Sequence, residues 1–154
     1  MGVEQYIGRT IDVLALRGGQ AAGEVTLLQS LADETSTGEI CTGIQKLAQR
    51  FLLMLLTDKG SVAYASDYGT TLITDIRLGR IQTDTELRSS FDLAAQDIAL
   101  QMAQEEQDDD PADEIYKRAE LMDVTLKPGY AWLSVRLYSA SDQVDFIVPV
   151  KVVV

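Results

Sequence analysis

The sequence predicts a small α+β domain in which two main helices pack on an antiparallel β-meander at the C-terminal end. Three observations predict it: two apolar stripes at helical spacing, a capping box before each stripe, and alternating apolar residues through the last third of the chain. A length of 154 residues fits one domain. We divide the chain into an N-terminal extension with short strands, residues 1–35, and the α+β domain, residues 36–154.

The first helix is predicted to begin at Ser36-Thr37-Gly38-Glu39, which has the capping-box pattern with Ser36 as N-cap. Its apolar stripe would bury Cys41 as a small hydrophobe. Gly60 stands where a left-handed residue is expected to cap the C-terminus of the helix. The stripe comprises Ile40, Ile44, Leu47, Ala48, Phe51, Leu52, Met54 and Leu55.

The second helix is predicted from a capping box at Thr83-Asp84-Thr85-Glu86 to an acidic segment at Glu105–Asp110. Pro111 would prevent any continuation. The apolar stripe of this helix comprises Leu87, Phe91, Ala94, Ala95, Ile98 and Met102. Such a stripe is typical of an amphipathic helix that lies on a sheet.

The segments before each helix carry weaker signals. Alternation at Ile11, Val13 and Ala15 favours a short strand, and a turn is expected at 17–20. The next apolar segment, 25–28, fits either a returning strand or a short helix. Between the helices, residues 63–70 resemble a loop in which Gly69 takes a positive φ.

The C-terminal meander is predicted from three alternating segments. The first strand is expected at Tyr116–Leu126 with Met122, Val124 and Leu126 on one face, and a type II turn follows at 127–130. The second strand, 131–139, places an aliphatic face opposite an aromatic one. Its aliphatic residues are Leu133, Val135 and Leu137, and its aromatic residues are Trp132 and Tyr138. If helices cover the aliphatic face, the aromatic face either meets a partner or packs beneath the N-terminal strands.

The last strand is unusually long and apolar. Its inner face would comprise Val144, Phe146, Val148, Val150, Val152 and Val154. At roughly 3.3 Å per residue this segment is about twice the length of an ordinary strand, so we expect the meander to pair only its first half. Pro149 marks an edge or a break. An exposed apolar strand aggregates, so the tail is expected either to fold back or to join the sheet of a neighbouring subunit.

Charge and composition exclude several classes of function. Thirteen Lys and Arg against 24 Asp and Glu give a net charge of −11, which repels nucleic acids and anionic membranes. Histidine is absent, so Ser–His–Asp and Cys–His catalysis cannot be built, and a metal site is not expected. No cofactor is indicated. No apolar run is long enough to span a bilayer, and the first residues do not resemble a secretion signal.

The segment from Ile44 to Leu72 resembles the sheath-initiator family of contractile phage-tail baseplates, which is often labelled lysozyme-like and has relatives in type VI secretion baseplates. The resemblance extends over about residues 10–154, but its specific part is short: the capped apolar helix that runs into 55–61, followed by Tyr64, 66–70 and Leu72. The residues that match by type are Gly60, Asp67, Tyr68, Gly69 and Thr70. Family members often carry a Glu-Pro-Arg-like stretch, or a Gly-Glu with a following Arg-Pro, in the loop after the first helix. Residues 59–66 of this sequence contain neither pattern.

The resemblance implies a fold like the inner domain of the sheath protein and a structural, non-enzymatic role. The expected partners are the baseplate wedge proteins and the first ring of the tail sheath protein, the latter through exchanged β-strands. Several copies per ring would assemble in the host cytoplasm and end in the virion. The terminal strand, found from its alternation alone, fits this expectation.

Two other functions remain open at this point. The family label suggests a glycoside hydrolase acting on peptidoglycan, in which a pair among Asp67, Asp75, Glu86 and Glu114 would serve as acid and nucleophile. Most carboxylates in so acidic a chain are solvated, so a pair alone is weak support. Residues 105–110 could bind calcium, but the ligand spacing and glycine of an EF-hand loop are missing, which favours a solvated loop.

Overall fold

Three helices pack against one face of a three-stranded antiparallel sheet in the computed structural model, which describes residues 12–13, 16–17, 26–27 and 40–152. The predicted α+β fold with its C-terminal meander is thus confirmed. The helices are α1 (Gly43–Leu56), α2 (Leu72–Arg77) and α3 (Asp84–Glu105). The sheet has the order β5 (Tyr116–Lys127), β6 (Tyr130–Ser139) and β7 (Gln143–Lys151).

Four short strands precede α1: β1 (Asp12–Val13), β2 (Leu16–Arg17), β3 (Thr26–Leu27) and β4 (Ile40–Cys41). They form two antiparallel pairs, β1 with β4 and β2 with β3. The second pair resolves the choice at 25–28 in favour of a strand, because Thr26 and Leu27 pair with Arg17 and Leu16. Arg17 therefore belongs to a strand and not to the predicted turn.

Helix α1 begins later than predicted. Ile40 and Cys41 pair with β1, and the helix starts at Gly43 after the N-cap Thr42. Gly43 has a φ of 63°, a left-handed conformation that is not found inside an α-helix. The helix therefore cannot extend from Gly43 back towards Ile40. The predicted N-cap Ser36 lies outside the described residues. Cys41 is buried as expected, although it lies on a strand.

The end of α1 also differs from the prediction. The helix stops at Leu56, and the extended residue Thr57 is its C-cap, with its N–H bonded to Met54 O. Gly60 does have a positive φ, 82°, but it lies in the turn that follows the cap. The short helix α2 was not predicted; its Leu72 and Ile76 are buried in the core.

Helix α3 begins where its capping box predicts. The Thr83 hydroxyl accepts the Glu86 N–H at 3.2 Å, and the Glu86 carboxylate accepts the Thr83 N–H at 3.0 Å. These two bonds satisfy donors that a helix N-terminus leaves free. All the residues of its predicted apolar stripe are buried: Leu87, Phe91, Ala94, Ala95, Ile98 and Met102.

The sheet places its predicted aliphatic face against the helices, with Leu133, Val135 and Leu137 fully buried. Gly129 has a φ of 79°, as a type II turn between β5 and β6 requires. One prediction for β5 is wrong: the register shifts between Leu121 and Asp123, so Met122 does not share a face with Val124. A bulge inserts one residue, which moves side chains to the opposite face.

Phe51 lies at the centre of the core, where α1 meets α3 and the sheet. Its ring stacks on Tyr116 at 5.9 Å and also contacts the rings of Phe91 and Phe146 at 6.4 and 6.2 Å. Burial raises the pKa of Tyr116, whose hydroxyl donates to Ala95 O at 3.4 Å. Within residues 40–152 and the short strands before them, no helix combines the length and apolarity that a bilayer crossing demands.

Candidate partner-binding surfaces

Strand β7 pairs with β6 over its whole length, from Gln143 opposite Tyr138 to Lys151 opposite Tyr130. The expectation that only the first half would pair is therefore wrong. The inner residues Phe146, Val148 and Val150 are buried, and Val144 and Val152 are half-buried against the same core. The N–H of Val152 also donates to Gly129 O at 3.0 Å. Val154 lies outside the described residues.

The outer edge of β7 is open in the described part of the chain, because β7 is the last strand of its sheet. Hydrogen-bonded and non-bonded pairs alternate along an antiparallel ladder. Since Val152 bonds to Gly129, the inner residues of β7 bond to β6 and the outer residues direct their backbone groups to the edge. Asp145, Ile147 and Lys151 each present an N–H and a C=O there.

Pro149 interrupts this edge. It lies opposite Trp132 at one of the outward positions, where its missing N–H costs no bond to β6. The ladder therefore runs past it, and the predicted break does not occur. The prediction of an edge position is correct. An edge that lacks one donor is a poorer template for another strand.

The aromatic face of the sheet lies opposite the helices. Trp132 and Tyr138 are half-buried there, and each ring contacts a cation. Lys127 Nζ is 4.9 Å from the centre of the Trp132 ring, and the Arg118 guanidinium carbon is 4.2 Å from that of Tyr138. The Trp132 Nε1 atom is buried with no hydrogen-bond partner. Nearly all buried polar side-chain atoms in folded proteins have a hydrogen-bond partner, so this unpaired indole N–H is unusual.

A cross-strand ion pair lies between these two aromatic residues. Arg136 donates to both carboxylate oxygens of Asp145, at 2.6 and 2.7 Å. This pairing holds the pKa of Asp145 below its usual value and raises that of Arg136. The bidentate geometry joins β6 to the edge strand on the outer face.

Two of the residues on which the predicted resemblance rests, Gly69 and Thr70, form a clamp at the end of α1. Thr70 is fully buried, with its hydroxyl bonded to Leu55 O at 3.1 Å and its N–H to Thr57 O at 2.9 Å. Gly69 has a φ of 95° and approaches Thr57 so closely that a Cβ would lie 2.3 Å from the Thr57 oxygen. The fold itself therefore requires these two residues, whatever the function of the chain.

The other residues of the predicted resemblance are less constrained by the fold. Tyr68 packs against the core and is half-buried, which raises the pKa of its hydroxyl. Asp67 is exposed in the loop, and the neighbouring Tyr64 is one of the most exposed aromatic side chains of the described chain. The loop thus has an anchored end at 69–70 and an exposed segment at 63–67.

Sequence reasoning missed a buried carboxylate at the N-terminus of α1. Glu114 Oε1 accepts the Gly43 N–H at 3.0 Å, and Oε2 accepts Lys46 Nζ at 2.8 Å. A carboxylate at this end of a helix is favoured by the dipole and by the free N–H groups. No local pattern predicts the contact, because Glu114 is separated from Gly43 by 71 positions.

The four carboxylates considered for a hydrolase do not meet in one cleft. Asp75 and Glu86 line a shallow cavity of about 360 Å³ between α2 and α3, while Glu114 is at the N-terminus of α1 and Asp67 is in the loop. Asp75 is paired with Arg80, and Glu86 is held by two backbone N–H groups that lower its pKa. A general acid requires a raised pKa, so Glu86 is poorly suited to that role.

Two acidic side chains of the segment at 105–110 have partners, one on α1 and one within the segment. Glu105 pairs with Arg50, and Asp110 Oδ2 accepts the Gln107 N–H at 2.8 Å. No cluster of acidic, Cys or His side chains able to hold a metal ion occurs among the residues that the structure describes.

An apolar cavity of about 390 Å³ lies between the start of α3 and the ends of β5 and β7, where Leu126 is 76% exposed.

Comparison with known proteins identified no relative of this chain. No protein-family model matches the chain, no curated protein is significantly similar to it, and no solved structure matches its fold significantly.

Proposed function

We propose that this chain is a structural subunit of a contractile phage-tail baseplate, which links the wedge to the first sheath ring and nucleates sheath polymerisation by β-strand exchange. The observation that carries the proposal is the open edge of β7, in a sheet that has one face covered by helices. Such an edge accepts an extended segment of another chain through backbone hydrogen bonds.

The pairing of β7 decides which form of exchange we propose. Val150 is buried in the core and Lys151 is paired with Tyr130, so donation of the C-terminal segment would remove apolar side chains from the domain itself. Accepting a strand at the β7 edge costs no such contact. In the proposed assembly the chain is therefore the acceptor, and the sheath protein supplies the incoming strand.

The wedge contact is proposed for the aromatic face of the sheet. Trp132 has a buried indole N–H without an acceptor, and Tyr138 lies on the same face. Aromatic residues are enriched where proteins bind one another, and an acceptor supplied by a partner would satisfy the Trp132 donor. Several copies per ring would add weak individual contacts into a stable assembly.

The resemblance to sheath initiators, predicted from the sequence, supports the same structural role. Gly69 and Thr70 hold the loop against the end of α1 and leave 63–67 exposed. We propose no catalytic step. Peptidoglycan cleavage by the purified chain would contradict a purely structural role.

The test is sheath assembly with a variant that alters only the edge. Ile147 presents its N–H to the edge and makes no backbone bond to β6, so Ile147→Pro should preserve the fold while it removes an edge donor. We expect the variant to lose nucleation of sheath polymerisation and co-purification with the sheath protein. The measurements are electron microscopy of assembled sheaths and pull-down with each partner.

The matched control is Ile147→Thr, which changes the side chain and keeps the N–H. We expect this variant to nucleate as the original chain does, and circular dichroism should show equal folding of both variants. If Ile147→Pro is folded and still nucleates sheaths, strand addition at β7 is refuted.

A further inference from the structure

Helix α3 carries a second apolar line on the side that faces away from the core. Leu93 and Leu100 are 65% and 66% exposed, although the helix buries a complete inner stripe. They are seven positions apart, which is two helical turns, so they lie one above the other on the same face. Two large apolar side chains so aligned differ from the scattered exposed leucines that most surfaces carry.

The line continues along the helix with the spacing of a coiled-coil seam. Ser89, Leu93, Gln96, Leu100 and Ala103 are all exposed and follow one another at alternating intervals of four and three. The apolar members of this line are Leu93, Leu100 and Ala103, while Ser89 and Gln96 are polar, so a helix that packs here would rest mainly on the two leucines. The 22 residues of α3 give a rod of about 33 Å, long enough for three heptads.

The charges beside this line identify the kind of helix that fits it. Asp92 and Asp97 occupy the positions that flank the seam, and Asp97 also lies 3.4 Å from Lys59 Nζ. Helix α3 itself carries five carboxylates and one cation, Arg88, which pairs with Asp84. Flanking charges determine which helices pair, and like charges oppose pairing. A second copy of α3 would bring carboxylates against carboxylates, so the seam is unsuited to self-association.

We propose that the line from Ser89 to Ala103 binds one helix of another protein, with apolar residues at heptad spacing and Lys or Arg at the flanking positions. This surface goes beyond the strand addition proposed above. Helix α3 contacts β5, which lies at the opposite edge of the sheet from β7. The two surfaces can therefore be occupied at the same time and tested separately.

The experiment uses two synthetic peptides of three heptads with Leu at the seam positions. One carries Lys and Arg at the flanking positions, and the other carries Glu. Fluorescence anisotropy with the full chain should show binding of the basic peptide at micromolar concentration, on the order of tenfold or more tighter than the acidic peptide. Added salt should weaken that binding, since the flanking charges are exposed.

Variants of the chain distinguish binding at this site from non-specific hydrophobic binding. Leu93→Gln with Leu100→Gln should lower affinity for the basic peptide at least tenfold, whereas Leu78→Gln, at the 59% exposed residue that caps the C-terminus of α2, should not change it. Asp92→Lys should reduce the preference for the basic peptide. Equal affinity for both peptides, no binding of either, or an unchanged affinity in a folded Leu93/Leu100 double variant would each overturn the proposal.

Discussion

Gln101 on α3 holds the backbone of Gly69 with both atoms of its side-chain amide. The Gly69 N–H donates to Gln101 Oε1 at 3.0 Å, and Gln101 Nε2 donates to Gly69 O at 3.0 Å. Together with the bonds of Thr70 to α1, this pair fastens the loop after α1 to both long helices. The geometry makes the glycine, the glutamine and the threonine parts of one clamp.

The first prediction concerns Gly69. Gly69→Ala should destabilise the domain by about 2–5 kcal/mol, because a left-handed alanine is strained and its Cβ would overlap the Thr57 oxygen. Gly79→Ala is the control: its φ is 66°, but no atom lies within 4 Å of the added Cβ. We expect it to cost only about 1–2 kcal/mol. Urea unfolding of both variants measures the difference, and equal losses would contradict the close-approach argument.

The second prediction concerns Gln101. Gln101→Leu keeps a similar volume but leaves the Gly69 N–H and C=O without their partners, so we expect a loss of about 1–3 kcal/mol. Gln104→Leu, at an exposed position on the same helix, should change stability by less than about 0.5 kcal/mol. Hydrogen exchange at the Gly69 amide should accelerate only in the first variant.

The third prediction concerns the buried carboxylate at the start of α1. Glu114→Ala removes the acceptor of both Gly43 N–H and Lys46 Nζ and should cost about 3 kcal/mol. Arg80→Ala breaks the exposed pair with Asp75 and should cost no more than about 0.5 kcal/mol. Thermal unfolding distinguishes the two, and a mild effect of Glu114→Ala would show that the helix start is held by other contacts.

The fourth prediction is a pH dependence of the α3 cap. Backbone N–H groups of Gln82 and Thr83 lower the pKa of Glu86 from its ordinary value of 4.5. A lowered folded-state pKa stabilises the fold above the unfolded pKa, and the stabilisation is lost as pH falls through the folded value. The stability advantage of the original chain over Glu86→Gln should therefore shrink as the pH is lowered below about 4.5. A constant difference from pH 7 to pH 3 would exclude the ionised cap.

The elements that were predicted correctly from the sequence are those that depend on residues close together along the chain. The box at Thr83 and Glu86 closes within one turn, and Gly129 has the φ that its own turn requires. The alternation of Leu133, Val135 and Leu137 corresponds to a buried face, because period two determines which face of a strand is apolar. Each of these features depends on residues that are close together along the chain.

The features that sequence missed depend on distant residues. Ile40 and Cys41 fit the helical stripe, but pairing with Asp12 and Val13 places them in a strand. The bulge at Met122 depends on the register with β6, and the clamp by Gln101 joins two elements that no local pattern connects. The candidate surfaces followed the same rule: the alternation of β7 was visible, but its complete pairing was not.

Pro149 gives the open edge of β7 a built-in limit. On either side of it, Ile147 and Lys151 each offer a donor and an acceptor, whereas Pro149 offers only its carbonyl. In the proposed strand addition, an incoming strand would form one backbone hydrogen bond fewer at Pro149, which would weaken the attachment of a single strand. Strands that belong to one assembled ring would bind together and hold more firmly than a single strand, so in the proposed assembly the edge would favour a partner that is already assembled.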